Sequence, residues 1–111
     1  MNWINLTEEA QLSTIKELSK LKPQIIFKHS TRCNISSIVK NRLERGNSTP
    51  EADFYYLDLI QHRQLSDKIA EGFSVYHESP QILIIKNGDC VYDESHNGIN
   101  IEDIIEQVFS T

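Results

Sequence analysis

Phe27-Lys28-His29-Ser30-Thr31-Arg32-Cys33-Asn34-Ile35-Ser36-Ser37 joins the end of an apolar run to a polar turn and then to a helical pattern that opens at a cysteine. A strand, a tight turn and a helix with Cys33 at its N-terminus follow from that pattern. The first N–H groups of a helix have no intrahelical partner, and the macrodipole is positive at that end, so the position favours thiolate over thiol. Arg32 adds a formal positive charge beside it. A small residue that merely begins a helix is the alternative reading of position alone.

Outward from this stretch the chain alternates between strand and helix patterns. Upstream, Trp3 to Leu6 reads as an edge strand and Thr7 as an N-cap before Glu8 and Glu9; Leu12, Ile15 and Leu18 then recur at helical spacing up to Pro23. Gln24-Ile25-Ile26-Phe27 is a short buried strand. Downstream of Cys33, Ile35, Ile38, Val39 and Leu43 form the expected inward stripe of a helix closed by Gly46. Residues 47–52 read as a loop, Phe54 to Leu59 as a covered strand, and Gln61 to Glu71 as a helix whose apolar face includes Leu65, Ile69, Ala70 and Phe73. Gln81-Ile82-Leu83-Ile84-Ile85-Lys86 is an unbroken apolar run, as in a strand covered on both faces. Asn87-Gly88 predicts a type I′ hairpin, so Asp89 to Asp93 pairs back antiparallel. The last helix starts near Asn100, with Asp103 at the reciprocal cap position and Ile101, Ile104, Ile105 and Val108 inward. The resulting order, βαβαβαββα, implies an α/β domain over residues 1–111, with a central mixed sheet, helices on both faces and an antiparallel hairpin at one side.

Composition narrows the function. A net charge of −5 with 11 scattered basic residues argues against a nucleic-acid partner. Lys40, Arg42 and Arg45 do cluster, but they occupy a helix C-terminus, where cations complement the dipole. No apolar run nears the roughly 20 residues that span a bilayer, so no membrane role is expected. The N-terminal residues lack a basic region followed by an apolar stretch, which makes the cytoplasm the expected compartment and free thiols the expected state of Cys33 and Cys90.

The element order, the cysteine at the second helix and the X-Pro before the hairpin strands together resemble the thioredoxin fold. Cys33-Asn34-Ile35-Ser36 has the C-x-x-S spacing of monothiol members, and Ser79-Pro80 followed by Gln81 to Gly88 is similar to that fold's cis-proline strand and hairpin. More narrowly, Phe27 to Ser36 is similar to the F-K-H-S-T-T-C-P-I-S segment of the monothiol bacilliredoxins, the YtxJ-like proteins of the bacillithiol system. The resemblance implies a thiol–disulfide oxidoreductase in which Cys33 takes bacillithiol, or a similar small thiol, from protein mixed disulfides. No bound cofactor is implied; the small thiol is a co-substrate, S-thiolated client proteins are the partners, and a second thiol or a partner redoxin completes the cycle. Ser36 stands where dithiol members have the resolving cysteine, and its hydroxyl is available to the Cys33 thiolate. Ser79 and Pro80 would form the substrate-binding wall, with Pro80 cis. Arg32 and Asn34 depart from the family's Thr and Pro; Asn34 restores an N–H, and both are expected to stabilise the thiolate. Phe27 occupies the place, six residues before the cysteine, where many thioredoxins carry a buried acid.

Other constellations are weaker. The C-x5-R phosphate loop fails because Val39 stands where the arginine would be. His29, His77 and His96 lack the short, regular spacing of a zinc site. Cys90 reads as a half-buried small hydrophobe rather than a resolving thiol. Two alternatives remain open at this level: a redox-inert thioredoxin-like binding module, and an iron–sulfur carrier of the monothiol glutaredoxin type.

Overall fold

In the computed structural model, which describes residues 2–46 and 51–110, a five-stranded mixed sheet carries four helices. The chain runs β1 (Trp3–Asn5), α1 (Ala10–Leu18), β2 (Gln24–His29), α2 (Asn34–Arg45), β3 (Asp53–Asp58), α3 (Arg63–Phe73), β4 (Gln81–Lys86), β5 (Asp89–Ser95) and α4 (Ile101–Phe109), with a short 3₁₀ turn over His96–Gly98. The sheet order is β1-β3-β2-β4-β5. β1, β3 and β2 are parallel, whereas β4 pairs antiparallel with both β2 and β5. The expected α/β layering and the edge position of β1 are both present. Residues 47–50 of the expected loop lie outside the described residues.

Alternation along the central strands divides the core in two. Ile25, Phe27, Phe54, Ile82 and Ile84 face α2 and α4, packing on Val39, Leu43, Ile104 and Val108. Their neighbours Ile26, Tyr55, Leu57, Leu83 and Ile85 face α1 and α3, packing on Ile15, Leu65, Ile69 and Phe73. Successive side chains of a strand point to opposite faces, so a strand that is apolar throughout must be covered on both.

Local signals hold where the residue chemistry is specific. Asn87 and Gly88 adopt φ of 52° and 83°, as a type I′ turn requires. The Ser19 hydroxyl at the end of α1 accepts from Gly88 N–H at 2.8 Å and so pins the hairpin tip to that helix. Asn100 caps α4 by accepting from Asp103 N–H at 2.9 Å, while its amide donates to the Asp103 carboxylate at 2.8 Å. Gly46 ends α2 where a side chain would collide with α4, since a Cβ there would lie 2.6 Å from Ile101 Cγ2.

Three expectations need correction. Thr7 is not the cap of α1: the Gln11 side chain folds back to accept from Thr7 and Glu8 N–H at 2.8 and 2.9 Å, and the helix begins only at Ala10. Ile35 and Ile38 are not inward; they are 40% and 53% exposed, because the buried line of α2 runs through Ser36, Val39 and Leu43. Nor is Lys28-His29-Ser30 a polar turn. Strand pairing continues to His29, and all three residues are buried.

Candidate active site around Cys33

The site lies at the edge of the sheet where β2 leaves and β4 enters. Leu59 N–H donates to His29 O at 2.8 Å, and a turn follows in which Cys33 N–H donates to Ser30 O at 3.2 Å. Cys33 is the N-cap of α2, with extended φ and ψ of −111° and 119°, and its carbonyl accepts the first helical bond from Ser37 N–H at 3.1 Å. Its side chain bonds to none of the first-turn N–H groups and is half-buried. Cys33 thus stands at the amino end of a twelve-residue helix.

Ser36 is buried one turn into α2, and its hydroxyl is already engaged. It accepts from Ser30 N–H at 3.0 Å and lies 2.7 Å from His29 Nδ1. Burial, followed by the nearby Lys40 charge, pushes the His29 pKa below its ordinary 6.5. A neutral imidazole with its proton on Nε2 satisfies the network: the Ser36 hydroxyl donates to Nδ1 while Ser30 N–H donates to the hydroxyl oxygen. The expected bond from the Ser36 hydroxyl to the Cys33 sulfur is not among these contacts. The hydroxyl's bonds instead fix the β2–α2 turn from within.

His29 is the residue the spacing did not single out. Its ring lies 5.8 Å from Phe27 and 5.5 Å from Tyr56, and Trp3 stacks on Phe27 at 5.6 Å. An aromatic array thus runs beneath the helix start where Phe27 replaces a buried acid. The one signal available in the sequence was a histidine two residues beyond an apolar run and four residues before the cysteine.

Opposite the helix, the Ser79–Pro80 bond is cis, and Pro80 O accepts from His96 N–H at 3.0 Å. The antiparallel register pairs Lys28 with Gln81, so the exit of β2 and the cis-proline share one edge of the sheet. Ser79 Oγ is buried without a hydrogen-bond partner among the described residues. Arg32 and Asn34 are both solvent-exposed. The Arg32 guanidinium makes no ion pair among the described residues; only its backbone N–H is engaged, donating to Ser30 Oγ at 3.4 Å.

Cys90 lies elsewhere. It is a free, half-buried thiol near the start of β5, paired with Ile85, which is itself opposite Gln24. That is the far end of β2, roughly 16 Å along the strand from the Cys33 edge, too distant for a disulfide. Burial also pushes the Cys90 thiol pKa up, against reactivity.

Comparison with known proteins agrees with this geometry. The family model described as monothiol bacilliredoxin BrxC matches residues 4–104. The chain belongs to the monothiol bacilliredoxin family. A solved thioredoxin-fold structure assigned as an oxidoreductase is 33% identical, with a TM-score of 0.81, covering 93% of this chain and 90% of that chain. Thioredoxin from Malassezia sympodialis superposes with a TM-score of 0.74 at 14% identity, covering 96% of this chain and 88% of the other. Thioredoxin O2 from Arabidopsis thaliana gives 0.73 at 16% identity over 97% and 95%. These last two show the fold alone. Family and fold make the protein a thioredoxin-like redox protein of the thiol–disulfide oxidoreductase class. No helix among the described residues is long and apolar enough to cross a membrane.

Proposed function

We propose that the protein removes bacillithiol, or a closely similar small thiol, from mixed disulfides on client proteins. The supporting observation is a lone thiol at the N-cap of α2, with the Ser36 hydroxyl in place of a second thiol and a cis-proline wall across the same sheet edge. The Cys33 thiolate attacks the small-thiol sulfur. Its lone pair forms the new S–S bond, the old one breaks, and the client departs as a thiolate that takes a proton from water. Cys33 then holds the small thiol in a new mixed disulfide. A second thiol, from free small thiol or a partner redoxin, attacks that bond and restores the Cys33 thiolate. Internal resolution has no route, because Ser36 is not a thiol and Cys90 lies at the other end of β2.

In this reading the backbone groups of Ser79 receive the client in strand-like fashion beside Cys33, with buried Pro80 backing them. The exposed Ile35 and Ile38 give the same helix face an apolar surface for a client. In this reading Arg32 places its positive charge beside the cysteine, while the Asn34 N–H makes no bond to the Cys33 side chain. The test is to incubate the protein with bacillithiol disulfide, glutathione disulfide and cystine, then compare adduct masses and rates. Fastest adduct formation with bacillithiol disulfide is expected. Failure to form any adduct on Cys33 contradicts the proposal and favours a redox-inert docking module. Visible absorbance after anaerobic purification would point to an iron–sulfur carrier instead.

A further inference from the structure

The Lys28–Gln81 pair is the rung of the β2–β4 ladder nearest the site, and both side chains are closed off from solvent, at 0% and 1% exposure. They lie on the α1 and α3 face, in line with Ile26, Leu83 and Ile85. A buried polar side chain is costly unless it is bonded, and a buried ammonium more so. Both direct their bonds to one segment. Gln81 Nε2 donates to Tyr76 O at 2.9 Å, and its Oε1 accepts from Glu78 N–H at 3.4 Å. Lys28 Nζ lies 3.3 Å from His77 Nδ1 and donates to Ser66 O in α3 at 3.4 Å. The Ser66 hydroxyl lies 3.2 Å from the same imidazole nitrogen. Burial, then the Lys28 charge, lowers the His77 pKa, so the ring is neutral and its Nδ1 serves as the acceptor.

Three consecutive residues, Tyr76, His77 and Glu78, are therefore each held by a side chain of one buried rung. The next two are Ser79 and cis-Pro80. Two apolar residues of similar volume would fill the rung at less cost, but they would leave the loop without an anchor. We infer that Lys28 and Gln81 are positioning residues for thiol exchange: they hold Tyr76–Glu78 so that Ser79 and Pro80 meet the incoming mixed disulfide as a preformed wall. The inference rests on the docking role given to Ser79 and Pro80 above. It adds the machinery that sets that wall, and it explains why a strand buried on both faces carries a lysine next to its last residue.

Lys28→Met, Gln81→Met and His77→Ala test it with two readouts. The first is exchange with a peptide carrying a cysteinyl mixed disulfide, set against alkylation of Cys33 by iodoacetamide, which needs no docking wall. The second is amide hydrogen exchange at Glu78. In folded Lys28→Met protein, peptide exchange should slow by about tenfold, mainly through KM, while alkylation stays at the wild-type rate and Glu78 loses protection. Peptide exchange and Glu78 protection both at wild-type values overturn the inference. Should Lys28→Met or Gln81→Met fail to fold, His77→Ala, which alters only the exposed loop side of the contact, carries the same expectation and the same refutation. A wild type that exchanges with no mixed disulfide removes the functional reading; loss of Glu78 protection in the variants still upholds the anchor, and retention overturns it.

Discussion

Replacing Lys28 by methionine should leave the fold at least as stable at neutral pH, and the advantage should shrink as the pH rises. Burial lowers the Lys28 pKa from the ordinary 10.5 to about 8, against a smaller opposing pull from Asp67. At about 1.36 kcal/mol per pKa unit, that difference amounts to roughly 3 kcal/mol. Between about pH 8 and 10.5 the unfolded chain binds the lysine proton and the folded chain does not, so wild-type stability gains from this group as the pH climbs. Below pH 8 the folded state carries the whole penalty of a buried ammonium. Methionine has similar length, no charge to desolvate and no titration, and Ser66 Oγ still reaches His77 without the lysine. Urea unfolding followed by the single tryptophan, Trp3, at pH 7 and pH 9.5 supplies the comparison. Titrating groups that Lys28 does not touch cancel in the difference, and His77, whose pKa Lys28 lowers, titrates below the pH range compared. The stability gap should narrow between the two pH values by roughly 2 kcal/mol, the share of that difference that falls between pH 8 and 9.5. A gap that stays constant, or widens, refutes the reasoning that Lys28 is held as a desolvated cation.

Ser36→Ala leaves Ser30 N–H and His29 Nδ1 without their shared partner and should cost about 1–3 kcal/mol in denaturant unfolding; an unchanged midpoint would show that the bond carries no weight. His29 and His77 both have pKa values below the usual 6.5, so the unfolded chain takes up protons first and stability should fall as the pH drops through that value. His29→Gln should flatten part of that acid limb, and equal acid losses in the variant and the wild type would place the cause elsewhere. Gly46→Ala pushes a Cβ to 2.6 Å from Ile101 Cγ2 and should lower stability by about 1–3 kcal/mol, read as a fall in Tm.

Much of the fold was legible because its signals are local and chemically specific. Asn87-Gly88 fixes the hairpin through positive φ, Asn100 with Asp103 fixes the start of α4, and the run from Ile82 to Ile85 announces a doubly covered strand. The place of Cys33 at a helix start followed from the local pattern, and the cis Ser79–Pro80 bond from motif resemblance. What the sequence hid depends on long-range partners. Lys28, His29 and Ser30 look like a turn by polarity, yet the ladders to β3 and β4 carry the strand through His29, and Ser36, Ser66 and His77 accommodate the polar groups. Periodicity also misplaced the inward line of α2, since Ile35 and Ile38 fit an apolar stripe while buried Ser36 does not; its hydroxyl is inward only because His29 waits beneath it.

The central claim is that Cys33 alone takes the small thiol from a client. The most direct measurement is intact mass of both proteins after mixing a client carrying a single bacillithiol mixed disulfide with wild-type, Cys33→Ser and Cys90→Ser protein. The expected result is a reduced client and one bacillithiol adduct on the wild type and on Cys90→Ser, with neither change for Cys33→Ser. Transfer that persists in Cys33→Ser, or a client that keeps its adduct with the wild type, contradicts it.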